Sequence, residues 1–191
     1  MSSRALIAVA LVAACGSDDA PPPASTEVGD CTGIVEVVAD QGGQHVVQGT
    51  PVEWTTNPPS TGPHYQNWAR WNREYTELDR RYWLHNVEHG GIVLLYNCPE
   101  GCPEIVEALR MHMRERAVDP ACSAPIYNRM MIVADPLLPP DVRVAASAWN
   151  TTYTDSCIDP YLERFIAQRY NQAPEDFCFE GIELGGTFVA R

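Results

Sequence analysis

Three of the five histidines in this 191-residue chain fall in two short segments whose other residues fix backbone shape. One segment is Asn57-Pro58-Pro59-Ser60-Thr61-Gly62-Pro63-His64-Tyr65; the other is Leu84-His85-Asn86-Val87-Glu88-His89-Gly90-Gly91. Two histidines four apart with a carboxylate between them, and a third on a stiff Pro/Gly loop, form a metal-site pattern. In a strand, residues four apart share a face but lie about 13 Å apart, too far for one ion. In a helical turn their Cβ atoms are about 5–6 Å apart. A joint site therefore predicts a helical turn over residues 84–89, ended by Gly90 in a left-handed cap. His64, His85 and His89 would then present three imidazoles, a set that suits zinc or copper and leaves a position open. Glu88 and Asn86 are the expected hydrogen-bond partners that orient the rings. The plainer alternative is that these histidines are hydrogen-bond struts between an aromatic wall and the sheet.

His85-x-x-Glu88-His89 also matches the inverted zinc-peptidase motif, in which the glutamate is the general base. The context departs from it, because Gly90-Gly91 follow at once where those enzymes continue a long helix. They also take a further glutamate ligand from a distant helix, for which Glu163 is a conceivable candidate. The reading therefore favours a non-enzyme.

Softer donors lie downstream. Asn97-Cys98-Pro99-Glu100-Gly101-Cys102-Pro103 sits between an apolar run and a helix start, where a helix dipole favours a thiolate. Locally it is similar to the Cys-Pro-x-x-Cys-Pro site of copper-delivering, thioredoxin-like assembly proteins. No histidine follows His112 in this chain, so that likeness stops at Cys98 and Cys102. The alternative for the pair is a structural disulfide. Met111 and His112 are further candidate soft ligands for copper, although helical spacing places His112 on a packing stripe.

The two histidine segments, the run Ile92–Tyr96, the Pro136–Pro140 turn and Ala145-Ala146-Ser147-Ala148-Trp149 resemble a bacterial domain-of-unknown-function family, number 3105. The resemblance covers roughly residues 45–170. It implies an extracytoplasmic, often membrane-anchored domain and supplies no activity.

Residues 1–14 read as a lipoprotein signal peptide: Arg4, a short apolar run, and Val12-Ala13-Ala14 before Cys15 as the lipidated residue. The run is too short to span a bilayer. Residues 15–29 read as a flexible tether and residues 30–191 as one domain. The remaining six cysteines, Cys31, Cys98, Cys102, Cys122, Cys157 and Cys178, predict up to three disulfides in an exported chain, with the pairing left open.

The formal charge is −12, and every cation is arginine. The absence of lysine excludes a Schiff-base lysine, a P-loop lysine and a lysine base. The acidic balance argues against nucleic acid and is compatible with attracting cations.

The elements that must hold the histidines are also legible. Ile34–Val38 and His45–Val47 read as strands around a Gly42-Gly43 turn. Tyr65–Trp83 is dense in aromatics and predicts a wall packed on the core. Ile92–Tyr96, Met130–Val133 and Val142–Trp149 read as strands, Pro103–Ala117 and Pro160–Tyr170 as helices. In the first helix Ile105, Leu109, His112 and Met113 form the apolar stripe. The expected fold is α+β: a mixed sheet with two main helices packed on it, thioredoxin-like in its C-terminal β-α-β-β-α part. The expected function is a lipid-anchored extracytoplasmic metal-binding domain, copper ahead of zinc, with a metal-acceptor protein as partner. A structural or interaction module is the alternative, and a zinc hydrolase the next.

Overall fold

A computed structural model describes residue 31 and residues 33–191. The signal peptide, Cys15 and the tether lie outside the described residues. The described chain runs β1 (Ile34–Val37), β2 (His45–Val46), β3 (His64–Tyr65), β4 (Arg73–Tyr75), α1 (Arg80–Glu88), β5 (Ile92–Tyr96), α2 (Pro103–Glu115), β6 (Met130–Ala134), β7 (Val144–Ala148), β8 (Thr151–Asp155), α3 (Pro160–Arg169) and β9 (Thr187–Phe188).

The continuous apolar strands have a direct cause, since both faces of the sheet are covered. On β5 and β6, Ile92, Leu94, Met130 and Ile132 face a core built with α2 and α3. Their neighbours Val93, Leu95, Met131 and Val133 face the opposite core, with Trp71, Tyr75, Trp83, Leu84 and Val87 from the aromatic segment and α1. A single-residue shift in register would exchange the two sets. The sheet order is β1-β8-β7-β5-β6-β4-β9. β5 runs parallel to β6 and antiparallel to β7, and β4 runs parallel to β6. The fold is thus a single α+β domain on a mixed sheet, as expected.

Three expectations need correction. The two expected helices are three, because the expected helical turn at 84–89 belongs to a full helix, α1, whose N-cap Asp79 accepts the Arg81 N–H at 2.9 Å. The run ending at Trp149 does not close the sheet: the chain turns at Trp149-Asn150, with Asn150 at φ 57°, and returns as β8. β1 and β2 do not form a hairpin about Gly42-Gly43. β1 pairs with β8, and β2 pairs in parallel with β3. The 42–44 segment instead docks on the proline loop, with Gly62 N–H donating to Gly42 O at 2.9 Å and His64 N–H to Gln44 O at 3.0 Å.

The six described cysteines form three disulfides: Cys31–Cys157, Cys98–Cys102 and Cys122–Cys178. Among the described residues, no helix is long and apolar enough to cross a membrane.

Candidate metal centre

α1 carries His85 and Glu88 three residues apart, and its C-cap His89 lies one turn beyond His85. Gly90, at φ 83°, ends the helix, and a Cβ there would meet Asn171 Oδ1 at 2.8 Å. The proline loop delivers His64 from the other side. Its shape is held by Thr61, whose hydroxyl donates to Asp40 at 2.7 Å, and by the Gly62 contact to Gly42. The parallel β2–β3 pair then sets His45 directly beside His64 in register.

The result is a cluster of His45, His64, His85 and Glu88, whose potential ligand atoms all lie within 4.8 Å of one another. Two ligands on a tetrahedral ion, each about 2.0–2.1 Å away, are about 3.3 Å apart, so this spacing is of the right order. The His45 and His85 rings stack at 4.7 Å, and His64 lies 4.8 Å from His85 and 5.1 Å from His45.

Two of the rings are oriented by backbone carbonyls. His64 Nδ1–H donates to Gly62 O at 2.9 Å, and His85 Nδ1–H donates to Tyr65 O at 2.7 Å. Each carbonyl can only accept, so each leaves Nε2 as the free nitrogen of a neutral ring. His64 Nε2 faces Glu88 Oε2 at 2.9 Å, and His45 Nε2 lies 3.7 Å from the same oxygen. A lone pair opposite a carboxylate needs a proton or a metal ion between them. Room for the carboxylate depends on Gly43, where a Cβ would lie 1.5 Å from Glu88 Oε1.

Electrostatics keep part of the cluster neutral. Burial, with the neighbouring His64 and His45, pushes His85 down to about 4 despite its bond to Tyr65. Burial raises Glu88, but the bond to His64 and the surrounding imidazoles outweigh it and hold the carboxyl below its usual range.

His89 stands apart from that cluster. It groups with His85 and Glu175. The ring is fully buried, with Phe177 at 3.9 Å and Trp68 at 4.5 Å. Its Nε2 is 3.0 Å from Glu175 Oε2 but out of line for a hydrogen bond, so both ring nitrogens are buried without a hydrogen-bond partner among the described residues. Burial and the adjacent histidines push it down to about 3. Glu163, the conceivable further ligand, is elsewhere: it lines a small cleft with His112, Glu115 and Arg116. Among the described residues, the Asn86 side chain makes no hydrogen bond to an imidazole. Its amide exchanges hydrogen bonds with Ala69, 3.0 Å to its Oδ1 and 2.8 Å from its Nδ2, which ties the aromatic segment to α1.

The softer candidates are not at the cluster. Cys98 and Cys102 are bonded to each other, and Met111 and His112 ride on α2, across the sheet from α1. Met111 is exposed and His112 half-buried, with Val106 taking the place on the buried stripe that His112 was expected to hold.

The residue missed in the sequence is His45. Nothing in local spacing ties it to His64 or His85; only the parallel pairing of β2 with β3 does. Glu175 was missed for the same reason, being brought to His89 by a long return of the chain after α3. No curated protein and no solved structure matches the chain. Residues 45–178 match the family of proteins of unknown function DUF3105, which starts at His45 and takes in every residue of both histidine groups, and the chain belongs to that family.

Proposed function

We propose that this chain is a lipid-anchored, extracytoplasmic metal-handling protein that holds one divalent transition-metal ion on His45, His64, His85 and Glu88. The observation that carries this reading is the pair of ring-to-carbonyl bonds, His64 to Gly62 and His85 to Tyr65. Metal-binding histidines donate their other ring nitrogen in this way, which fixes the tautomer and aims the lone pair. The donor set of three nitrogens and one oxygen suits zinc(II) or copper(II). With both cysteine sulfurs committed to a disulfide, the set lacks the sulfur that favours copper(I). His45 is the one member with a substantially exposed side chain, at 43 %. It is the ligand through which an ion would enter, or leave toward an acceptor protein.

Elemental analysis and metal titration of the purified protein test the reading. Wild type should bind one ion at the cluster, and His45→Ala or His85→Ala should lose it. Unchanged stoichiometry and affinity in both variants would leave the histidines as struts. The anchor has its own test: Cys15→Ser should release the protein from the membrane fraction.

A second reading has one observation in its favour. Glu175 supplies, beside His85 and His89, the downstream glutamate that a zinc hydrolase of the His-x-x-Glu-His type needs. Against it, α1 ends at Glu88, and Phe177 and Trp68 cover His89 where water and substrate would have to reach an ion. A cavity of about 790 Å³ lies at the other end of α1, by Arg80 and Asp135, and touches none of the histidines.

A further inference from the structure

We propose that Cys98–Cys102 is a redox-active disulfide that exchanges with the dithiol of a partner protein, separately from the histidine cluster. The three disulfides differ in what they can do for stability. Cys31–Cys157 and Cys122–Cys178 bridge separations of 126 and 56 residues, whereas Cys98–Cys102 bridges 4. The entropy removed from the unfolded chain grows with loop length, so the short bridge constrains it least. Its two ends are already fixed, since β5 is paired on both edges and α2 is anchored by Ile105, Val106, Leu109 and Met113.

Its position suits exchange. The chain crosses from β4 to β5 by α1 on one face and returns to β6 by α2 on the other. The carboxyl ends of such strands are where open sheets place their sites. The disulfide follows β5 at that end, and the cavity walled by Thr76–Arg81 and Ala134–Leu137 opens at the same end, beyond β4 and β6. Cys102 is the N-cap of α2, and its side chain makes no capping hydrogen bond.

The two sulfurs are unequal. Cys98 is half-buried beside exposed Glu100 and Gly101, while Cys102 is only 3 % exposed. Arg143 Nη2 lies 3.9 Å from Cys98 Sγ. An incoming thiolate therefore meets Cys98. It forms a bond to Cys98 Sγ, and the electron pair of the old S–S bond leaves on Cys102 Sγ, at the positive end of α2. The partner's second thiolate then attacks its own sulfur in the mixed disulfide and releases Cys98 as a thiolate beside Arg143. Two electrons and two protons pass from the partner dithiol to the Cys98/Cys102 pair, and the partner is left with one disulfide.

The test uses the full chain, with and without a chelator, so that it is independent of the metal reading. The protein is equilibrated with graded ratios of reduced to oxidised dithiothreitol, alkylated and mapped by peptide mass spectrometry. Cys98 and Cys102 should be alkylated at ratios about 100-fold lower than Cys31, Cys122, Cys157 and Cys178. In the reduced protein, Cys98 should alkylate with a midpoint at least about one pH unit below the ordinary thiol value near 8.5, and Arg143→Ala should raise that midpoint. With glutathione disulfide as probe, Cys102→Ser should accumulate a mixed disulfide through Cys98 with release of one glutathione thiol, and Cys98→Ser should not. Joint reduction of all three disulfides, or equal trapping by the two serine variants, would overturn the proposal.

Discussion

At the scale of single residues, Glu88 decides between the readings of the cluster. It faces His64 and His45 through one oxygen, and Gly43 leaves the space for the other. Glu88→Gln keeps the size and removes the charge. The expected outcome is a metal affinity lower by at least about 10–100-fold with the fold intact, measured by competition titration and circular dichroism. Full affinity with a lower melting temperature would instead mark Glu88 as a brace for His64. The imidazoles also set a pH dependence. Burial holds His85 near 4 and His89 near 3 in the folded chain, below the ordinary value of 6.5. As pH falls below 6.5 the unfolded chain gains protons that the folded one refuses, so stability is complete above that value and declines on acidification toward 4. Glu88, also lowered, acts with the same sign. Urea midpoints of the metal-free protein should therefore fall between pH 7 and pH 4.5; a flat profile would show that the rings are solvated rather than buried.

At the scale of elements, what could be read from sequence was what depends on neighbours along the chain. The runs Ile92–Tyr96 and Met130–Val133 announced buried strands, and Pro103 and Pro160 marked the starts of α2 and α3. The requirement that His85 and His89 meet correctly demanded a helical turn, because a strand would have separated them. What could not be read depends on pairing across the chain. β2 is two residues long, and its parallel partner β3 is set by the proline loop rather than by its own pattern. His45 was therefore counted as a strand residue and not as a donor. β8 was hidden because Trp149-Asn150 turns without glycine or proline, using Asn150 at φ 57°. The end of α1 offers a direct test at this scale. Gly90 holds φ 83° with Asn171 Oδ1 and Arg129 Nη1 at 2.8 and 3.1 Å from where a Cβ would stand. Gly90→Ala should cost at least about 1–2 kcal/mol of unfolding free energy in urea, from the left-handed backbone alone. It should also weaken metal binding, since it moves the turn carrying Glu88 and His89.

At the scale of the whole molecule, the histidine face is closed by the segment that returns after α3. Arg129 is the residue that holds this closure. It is 1 % exposed and binds Asp119 through Nη2 at 2.8 Å, with Asp176 at 2.7 Å and His89 O at 2.9 Å both on Nη1. Tyr170 donates its hydroxyl to the same Asp119 at 2.6 Å, and Cys122–Cys178 fastens the segment a few residues further on. Arg129 thus neutralises the buried Asp119 at one point that touches the end of α1, the segment carrying Glu175 and Phe177, and the loop before β6. Removing the cation leaves the Asp119 carboxylate, whose side chain is 5 % exposed, buried without its counter-charge and held only by the Tyr170 hydroxyl and the Ala121 N–H. Arg129→Ala should cost about 3–5 kcal/mol in urea unfolding. Asp119→Asn combined with Arg129→Met removes both charges and should recover part of that loss. If closure of this face also shields the cluster, metal exchange in Arg129→Met/Asp119→Asn should be faster than in wild type at similar affinity, as read by chelator competition. An unchanged exchange rate would mean that ions pass only by His45, on the far side of the cluster.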